Sequence, residues 1–151
     1  MLFILSSDAA GQSGKVENFA IYNIQGKRCI FYDIVKSLPE DSVLILNFTS
    51  IKCKPCRKEI PELANITVKS GNRARIMFIY AESSVQAQPA AAELGITDRS
   101  YVDPFGNVQK LFNVKKIPVT IIISKNYIQL CRFDGYTGEN IRGIEKVVNK
   151  K

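Results

Sequence analysis

Two thiols stand two residues apart in Cys53-Lys54-Pro55-Cys56, and what such a pair can do depends on where the chain puts it. The run before it, Val43-Leu44-Ile45-Leu46-Asn47-Phe48-Thr49, is largely apolar and β-branched, the pattern of a strand buried on both faces. The stretch after it carries Ile60, Leu63 and Ile66 at helix spacing. The pair therefore sits where a central strand ends and a helix begins. The first turn of a helix has unpaired backbone N–H groups and the positive end of the helix dipole, and both favour a thiolate over a thiol. Cys53 is the predicted nucleophile. A two-residue spacing within a helical first turn brings the sulfur of Cys56 within bonding reach, so the pair can close and reopen. Pro55 suits a first-turn position, because its missing N–H would have no intrahelical partner there. Lys52 and Lys54 flank Cys53, and Arg57 follows Cys56. Each cation at an exposed position contributes about 1 kcal/mol to a thiolate, so these tune what the helix terminus sets up.

On the residues alone other readings stay open. Half of a zinc site needs two more Cys or His ligands, and the chain has no histidine and only Cys29 and Cys131 besides, far apart in sequence. A structural disulfide or an inert buried pair is a further alternative, although a strand–CxxC–helix junction is a poor place for either. Cys29 and Cys131 each fall in a predicted strand, where the default is a small buried hydrophobe. A bond between them, or an auxiliary redox role for an exposed one, is also open at this stage.

The elements that must position the pair follow from patterning. Val16 to Tyr32 predicts a hairpin, with a turn at Gln25-Gly26-Lys27 and a second strand over Arg28-Cys29-Ile30-Phe31-Tyr32. Asp33 to Leu38 predicts a short helical turn closed by Pro39. Pro61 falls inside the helix after the cysteines and is expected to bend it. Ile76-Met77-Phe78-Ile79-Tyr80-Ala81 is a second buried strand, and Ser83 or Ser84 caps a helix running to Gly95. Ser100-Tyr101-Val102 reads as a short edge strand before the turn Asp103-Pro104-Phe105-Gly106-Asn107, and Val108 to Val114 as a brief helix. Pro118-Val119-Thr120-Ile121-Ile122-Ile123 is a third buried strand. It turns at Lys125-Asn126 into Tyr127 to Phe133, a hairpin, before a last helix with Ile141, Ile144 and Val148 on one face. This order predicts an α/β sandwich with a mixed sheet.

With 151 residues, 46% hydrophobic and 23% charged, the chain suits one domain that buries about two-thirds of its unfolded surface. The formal net charge is +7. The basic residues are dispersed, with no basic run interleaved with aromatics, so a solvated basic surface is expected and nucleic-acid binding is not. Steering toward acidic partners or an anionic membrane is a weaker option. Met1-Leu2-Phe3-Ile4-Leu5, followed by small polar residues, is expected to be a signal-peptide remnant or a flexible arm over residues 1–15, ahead of a domain over 16–151. That expectation places the protein outside the cytoplasm, in a bacterial periplasm or cell envelope, and leaves a membrane tether in a longer precursor open. No stretch is long and apolar enough to span a membrane.

The order of elements, the CxxC at a strand–helix junction and a proline opening a late strand resemble the thioredoxin fold. More narrowly, Asn47-Phe48, the segment Cys53 to Leu63, the Asp103-Pro104-Phe105-Gly106 turn and Lys116-Ile117-Pro118-Val119-Thr120 resemble the TlpA/ResA-like thiol-disulfide oxidoreductases, over about Val16 to Val148. The resemblance implies a thioredoxin-like three-layer α/β/α sandwich with a central mixed β-sheet and an N-terminal β-hairpin. It implies Cys53 as the attacking thiolate, Cys56 as the resolving one, and the two as a redox-active disulfide. It makes Pro118 a cis-proline that lets the backbone of Ile117 pair with an extended substrate, where the residues alone suggest a trans proline at a strand start. Glu59 matches an acidic residue that accepts a proton from the resolving thiol; otherwise it is a helix carboxylate of the first turns. Lys52 stands where the family usually carries an aromatic, and the chain has no tryptophan, which implies a more electropositive mouth. Asn47 stands where thioredoxins proper have a buried acid.

The expected function is thiol-disulfide exchange with disulfides of protein substrates, in the reducing direction by family analogy, as part of cell redox homeostasis. It needs no cofactor or metal, but does need an upstream thiol-disulfide electron donor. The cations beside Cys53 pull the other way, toward a stronger oxidant. Two rivals are a peroxiredoxin-like peroxidase, suggested by Ser50 three residues before Cys53, and a non-catalytic peptide-binding module built on the groove beside Pro118.

Overall fold

The structure is a computed structural model that describes residues 14–150. All but the last two residues of the expected N-terminal arm therefore lie outside the described residues. In chain order the elements are β1 (Ala20–Asn23), β2 (Arg28–Ile30), α1 (Phe31–Lys36), β3 (Val43–Thr49), α2 (Lys54–Lys69), β4 (Ala74–Tyr80), α3 (Ser84–Glu93), β5 (Ser100–Val102), α4 (Asn107–Leu111), β6 (Val119–Ser124), β7 (Gln129–Asp134) and α5 (Gly138–Val148).

Period-two alternation in β3 feeds both faces of one sheet. Leu44, Leu46 and Phe48 pack with Phe31 and Val35 of α1 and Val108 of α4, while Ile45 packs with Ile60, Leu63 and Ile66 of α2 and Ile144 and Val148 of α5. Two apolar layers on one central strand make the three-layer α/β/α sandwich. The seven strands run in the order β2-β1-β5-β4-β3-β6-β7. β3 pairs parallel with β4 and β4 with β5, and the other neighbours are antiparallel. The sheet is mixed, with the N-terminal hairpin β1–β2 at one edge.

The hairpin's second strand is shorter than its composition suggests. Phe31, a strand former by type, is instead the fully buried first residue of α1. Its N–H still donates to Phe19 O at 2.9 Å, in register with the Ala20–Ile30 pair, whereas that of Tyr32 turns to Asn18 Oδ1 at 2.9 Å, so the pairing ends there as the helix begins. β5 is not an edge strand. Tyr22 and Asn23 of β1 pair with Val102 and Tyr101, so the hairpin closes over it and the true edges are β2 and β7. That placement also rules out a bond between Cys29, on β2, and Cys131, on β7. Six strand spacings, roughly 28 Å, separate the two edges, against a Cα separation of about 7 Å that a disulfide tolerates. Both thiols are half-buried rather than buried. Pro61 lies inside α2, yet the helix runs on to Lys69.

Candidate active site

β3 delivers the chain to the N-terminus of α2, and Cys53 is its N-cap, with an extended backbone at φ −92° and ψ 106°. The Cys53 sulfur accepts the backbone N–H of Cys56 at 3.3 Å, so the terminus of α2 presents a donor to the sulfur predicted to carry negative charge. The two cysteines are joined, with S–S 2.10 Å and Cα–Cα 5.2 Å. Their surroundings differ. Cys56 is fully buried, whereas Cys53 is half-buried and faces the surface. A macromolecule can reach only the first sulfur.

The loop ahead of Cys53 is pinned by a residue that the sequence does not flag. Glu82, just past β4, accepts the Ser50 hydroxyl at 2.6 Å and the Ile51 N–H at 3.0 Å, and Ser50 Oγ in turn accepts the N–H of Lys52 at 3.2 Å. Lys52 and Lys54 are exposed on either side of Cys53. Arg57 contributes less to the pair than its position suggests, because its guanidinium turns to Glu93 on α3 at 3.1 Å.

Glu59 lies three residues after Cys56 and hence on the same face of α2. Only 1% of it is exposed. Its Oε1 accepts Asn47 Nδ2 from β3 at 2.7 Å and, at 3.5 Å, the Thr120 hydroxyl from β6, while Asn47 Nδ2 also donates to Thr120 Oγ1 at 3.0 Å. Burial pushes the Glu59 carboxyl up to about 7, against the lowering effect of the bonds from Asn47 and Thr120, and the nearby charge of Glu62 adds to the rise. The apolar strand pattern hides Thr120, although a lone hydroxyl between Val119 and Ile121 is a signal of a buried polar partner.

The Ile117–Pro118 bond is cis, as the family resemblance implied. Val119 pairs with Phe48, so Pro118 stands beside the end of β3 from which the CxxC loop departs. The Pro118 carbonyl accepts the Gly135 N–H at 2.8 Å. Among the described residues, Ile117 engages neither its N–H nor its carbonyl in a hydrogen bond. The six residues singled out from sequence are thus brought to one end of the sheet: Cys53, Cys56 and Glu59 on α2, Lys52 in the loop before it, and Ile117 and Pro118 at the start of β6.

The sequence pattern of the AhpC/TSA family matches residues 13–129, which take in the CxxC pair, Glu59 and Pro118. The chain belongs to the AhpC/TSA family. Within the range of this AhpC/TSA chain, the thiol-disulfide oxidoreductase ResA of Geobacillus kaustophilus (strain HTA426) is 31% identical over 86 residues, covering 55% of the chain and 49% of ResA. The match spans about half the length of that relative. The crystal structure of a protein described as a thiol:disulfide interchange protein DsbE, from Chlorobium tepidum, superposes with a TM-score of 0.76 at 22% identity, over 89% of this chain and 93% of that one. Peroxidoxin BcpB from Mycobacterium tuberculosis superposes at 0.74 with 16% identity, over 91% and 94%. These likenesses bear out the thioredoxin-like α/β fold of this AhpC/TSA chain.

Proposed function

We propose that the protein is a thiol-disulfide oxidoreductase. The observation that carries the reading is the Cys53–Cys56 pair at the N-terminus of α2, asymmetric in exposure and set one turn before a buried carboxyl that titrates near neutrality. In the reduced protein the Cys53 thiolate attacks one sulfur of a substrate disulfide and expels the other as a thiolate. Cys56 then gives its proton to the Glu59 carboxylate and attacks the Cys53 sulfur. The internal disulfide forms and the second substrate thiolate leaves. Two electrons pass from the dithiol to the substrate, and the reverse sequence oxidises one. A carboxyl poised near pH 7 suits this role, because it can take a proton and lose it again under working conditions.

Protein disulfides are the substrate class that fits, with Ile117 and Pro118 as a docking edge and Lys52 at its rim. Each reductive turnover leaves the pair oxidised, so an upstream thiol-disulfide donor is part of the proposal. So is a site outside the cytoplasm, where protein disulfides persist. A membrane tether in a longer precursor would be tested by fractionation, since no helix among the described residues is long and apolar enough to cross a membrane.

Equilibration with glutathione buffers, followed by thiol trapping, tests the reading. A single two-electron couple below about −220 mV supports a reductase, and one above about −180 mV an oxidant or isomerase. The absence of any reversible couple would favour a binding module; in that case Cys53→Ser retains peptide binding, whereas in an enzyme it abolishes turnover. A peroxidase is the second reading, which family membership and the likeness to peroxidoxin BcpB favour. Against it, the Ser50 hydroxyl is committed to Glu82, whose carboxylate stands beside the loop that a peroxidatic thiolate would need electropositive. Stoichiometric consumption of hydrogen peroxide by the reduced protein would decide for it.

A further inference from the structure

The end of the sheet that carries the disulfide is unevenly charged. Lys52 and Lys54 flank Cys53, Lys115 and Lys116 lead into Pro118, and all four are exposed. Among the described residues none of the four is in an ion pair. The carboxylates on the strand ends and loops here are directed to partners other than these lysines. Glu82 binds Ser50 and the Ile51 N–H, Asp103 accepts the N–H groups of Val108 and Gln109, and Asp134 pairs with Arg132. Glu62 lies further along α2, beside Tyr136. Glu82 keeps its negative charge beside the loop, but the four lysines outnumber it and none is ion-paired among the described residues, so the rim around the one sulfur that a partner can reach carries a surplus of cations.

A groove of about 520 Å³ adjoins this rim, lined by Lys115, Lys116, Ile117, Pro118, Arg132 and Asp134, within the size range of binding sites. Its shape is held from below. The Arg132 guanidinium donates to the carbonyls of Phe112 and Asn113, which fastens β7 to the loop carrying the two lysines. Along the groove the backbone of Ile117 is unengaged among the described residues, an edge on which an extended chain can pair.

We infer that the protein's substrates present their disulfide on an extended acidic segment, whose carboxylates are read by Lys115 and Lys116 on the Pro118 side and by Lys52 and Lys54 on the Cys53 side. This rests on the oxidoreductase reading above and adds the substrate class to it. The backbone edge among the cations selects a peptide over a phosphate-bearing surface. Unpaired lysines at a rim act chiefly on the rate of encounter and on discrimination between partners, by attraction to carboxylates and repulsion of cations.

The test uses the reduced protein and two disulfide peptides that differ only in flanking residues, four glutamates in one and four lysines in the other, with hydroxyethyl disulfide as an uncharged reference. At about 20 mM salt the acidic peptide is expected to show a kcat/KM at least 10-fold above the basic one, and the ratio should shrink at about 500 mM as screening sets in. In K115E/K116E the ratio is expected to fall to near unity or invert. Equal rates on the two peptides at low salt, with hydroxyethyl disulfide still turned over, overturn the substrate class and leave the oxidoreductase reading standing. No exchange with any of the three overturns that reading itself. A preference that survives K115E/K116E unchanged overturns the assignment to the groove. Equal peptide rates combined with K115E/K116E-sensitive sedimentation on phosphatidylglycerol vesicles would replace it with a membrane surface.

Discussion

At the scale of single residues, Glu59 sets the clearest pH dependence. Its carboxyl is raised from 4.5 to about 7 by burial, so between those values the folded protein binds a proton that the unfolded chain does not. The stability contributed by the neutral carboxyl is complete below about pH 4.5 and is lost as pH rises through about 7, a change of roughly 3 kcal/mol. Urea unfolding of the oxidised protein at pH 5 and pH 8 is expected to show that loss, and Glu59→Gln to remove most of it; a flat wild-type profile would contradict the buried-carboxyl account. In kinetics the same variant should slow release of the mixed disulfide by about 100-fold near pH 7, while alkylation of Cys53 keeps its wild-type rate. How far this was legible depends on what spacing can express. Cys53 and Cys56 are readable because two residues in a helical first turn set their relation locally. The proton affinity of Glu59 is not, because burial between α2 and the sheet raises it against the lowering bonds from Asn47 and Thr120, and only the fold supplies these surroundings. Glu82 left no local trace at all.

Elements hold the site through their ends and contacts. Asp103 is nearly buried, and its carboxylate accepts Val108 N at 3.1 Å and Gln109 N at 2.9 Å, so it caps α4, the element from which the lysine-bearing loop departs. Asp103→Ala leaves those N–H groups without a partner and is expected to cost about 2 kcal/mol in thermal or urea unfolding. The acidic-peptide preference should fall with it, because the loop loses its anchor. Gly143 on α5 lets that helix lie close to β7, since a Cβ there would meet Phe133 Cε1 at 2.6 Å. Alanine's better helix propensity favours Gly143→Ala by about 1 kcal/mol, but pushing back a half-buried ring costs about 1–3 kcal/mol. The variant should therefore be destabilised, and Phe133→Leu in the same chain should restore it. Boundaries were readable where caps and runs are strong, as in β3 and in α3, where Ser83 and Gln86 form a capping box. They were not readable at Phe31, whose type favours a strand and whose place in the core makes it helical. At β5 the bounds Ser100 to Val102 were readable, but its place inside the sheet was not, because its neighbours on the two sides come from the hairpin and β4.

For the molecule as a whole, the same charge imbalance bears on folding and on function with opposite signs. The net charge is +7, and the ion pairs among the described residues, Arg57–Glu93, Arg99–Asp98, Lys125–Glu40 and Arg132–Asp134, each have at least one well-exposed partner. Such pairs contribute at most about 1 kcal/mol apiece, whereas the surplus cations repel one another in the compact state and are further apart in the unfolded chain. Moderate salt, which shortens the screening length to about 8 Å, is therefore expected to raise the melting temperature. Over the same range it should slow exchange with an acidic peptide disulfide, because the unpaired lysines beside Cys53 and Pro118 lose their reach. Melting curves and exchange rates from one salt series decide the matter. Stability rising while the acidic-peptide rate falls and the hydroxyethyl disulfide rate holds means that salt acts on recognition and leaves the fold intact. A fall in all three would place the charge effect in the fold, and the electropositive rim would then have no part in choosing the substrate.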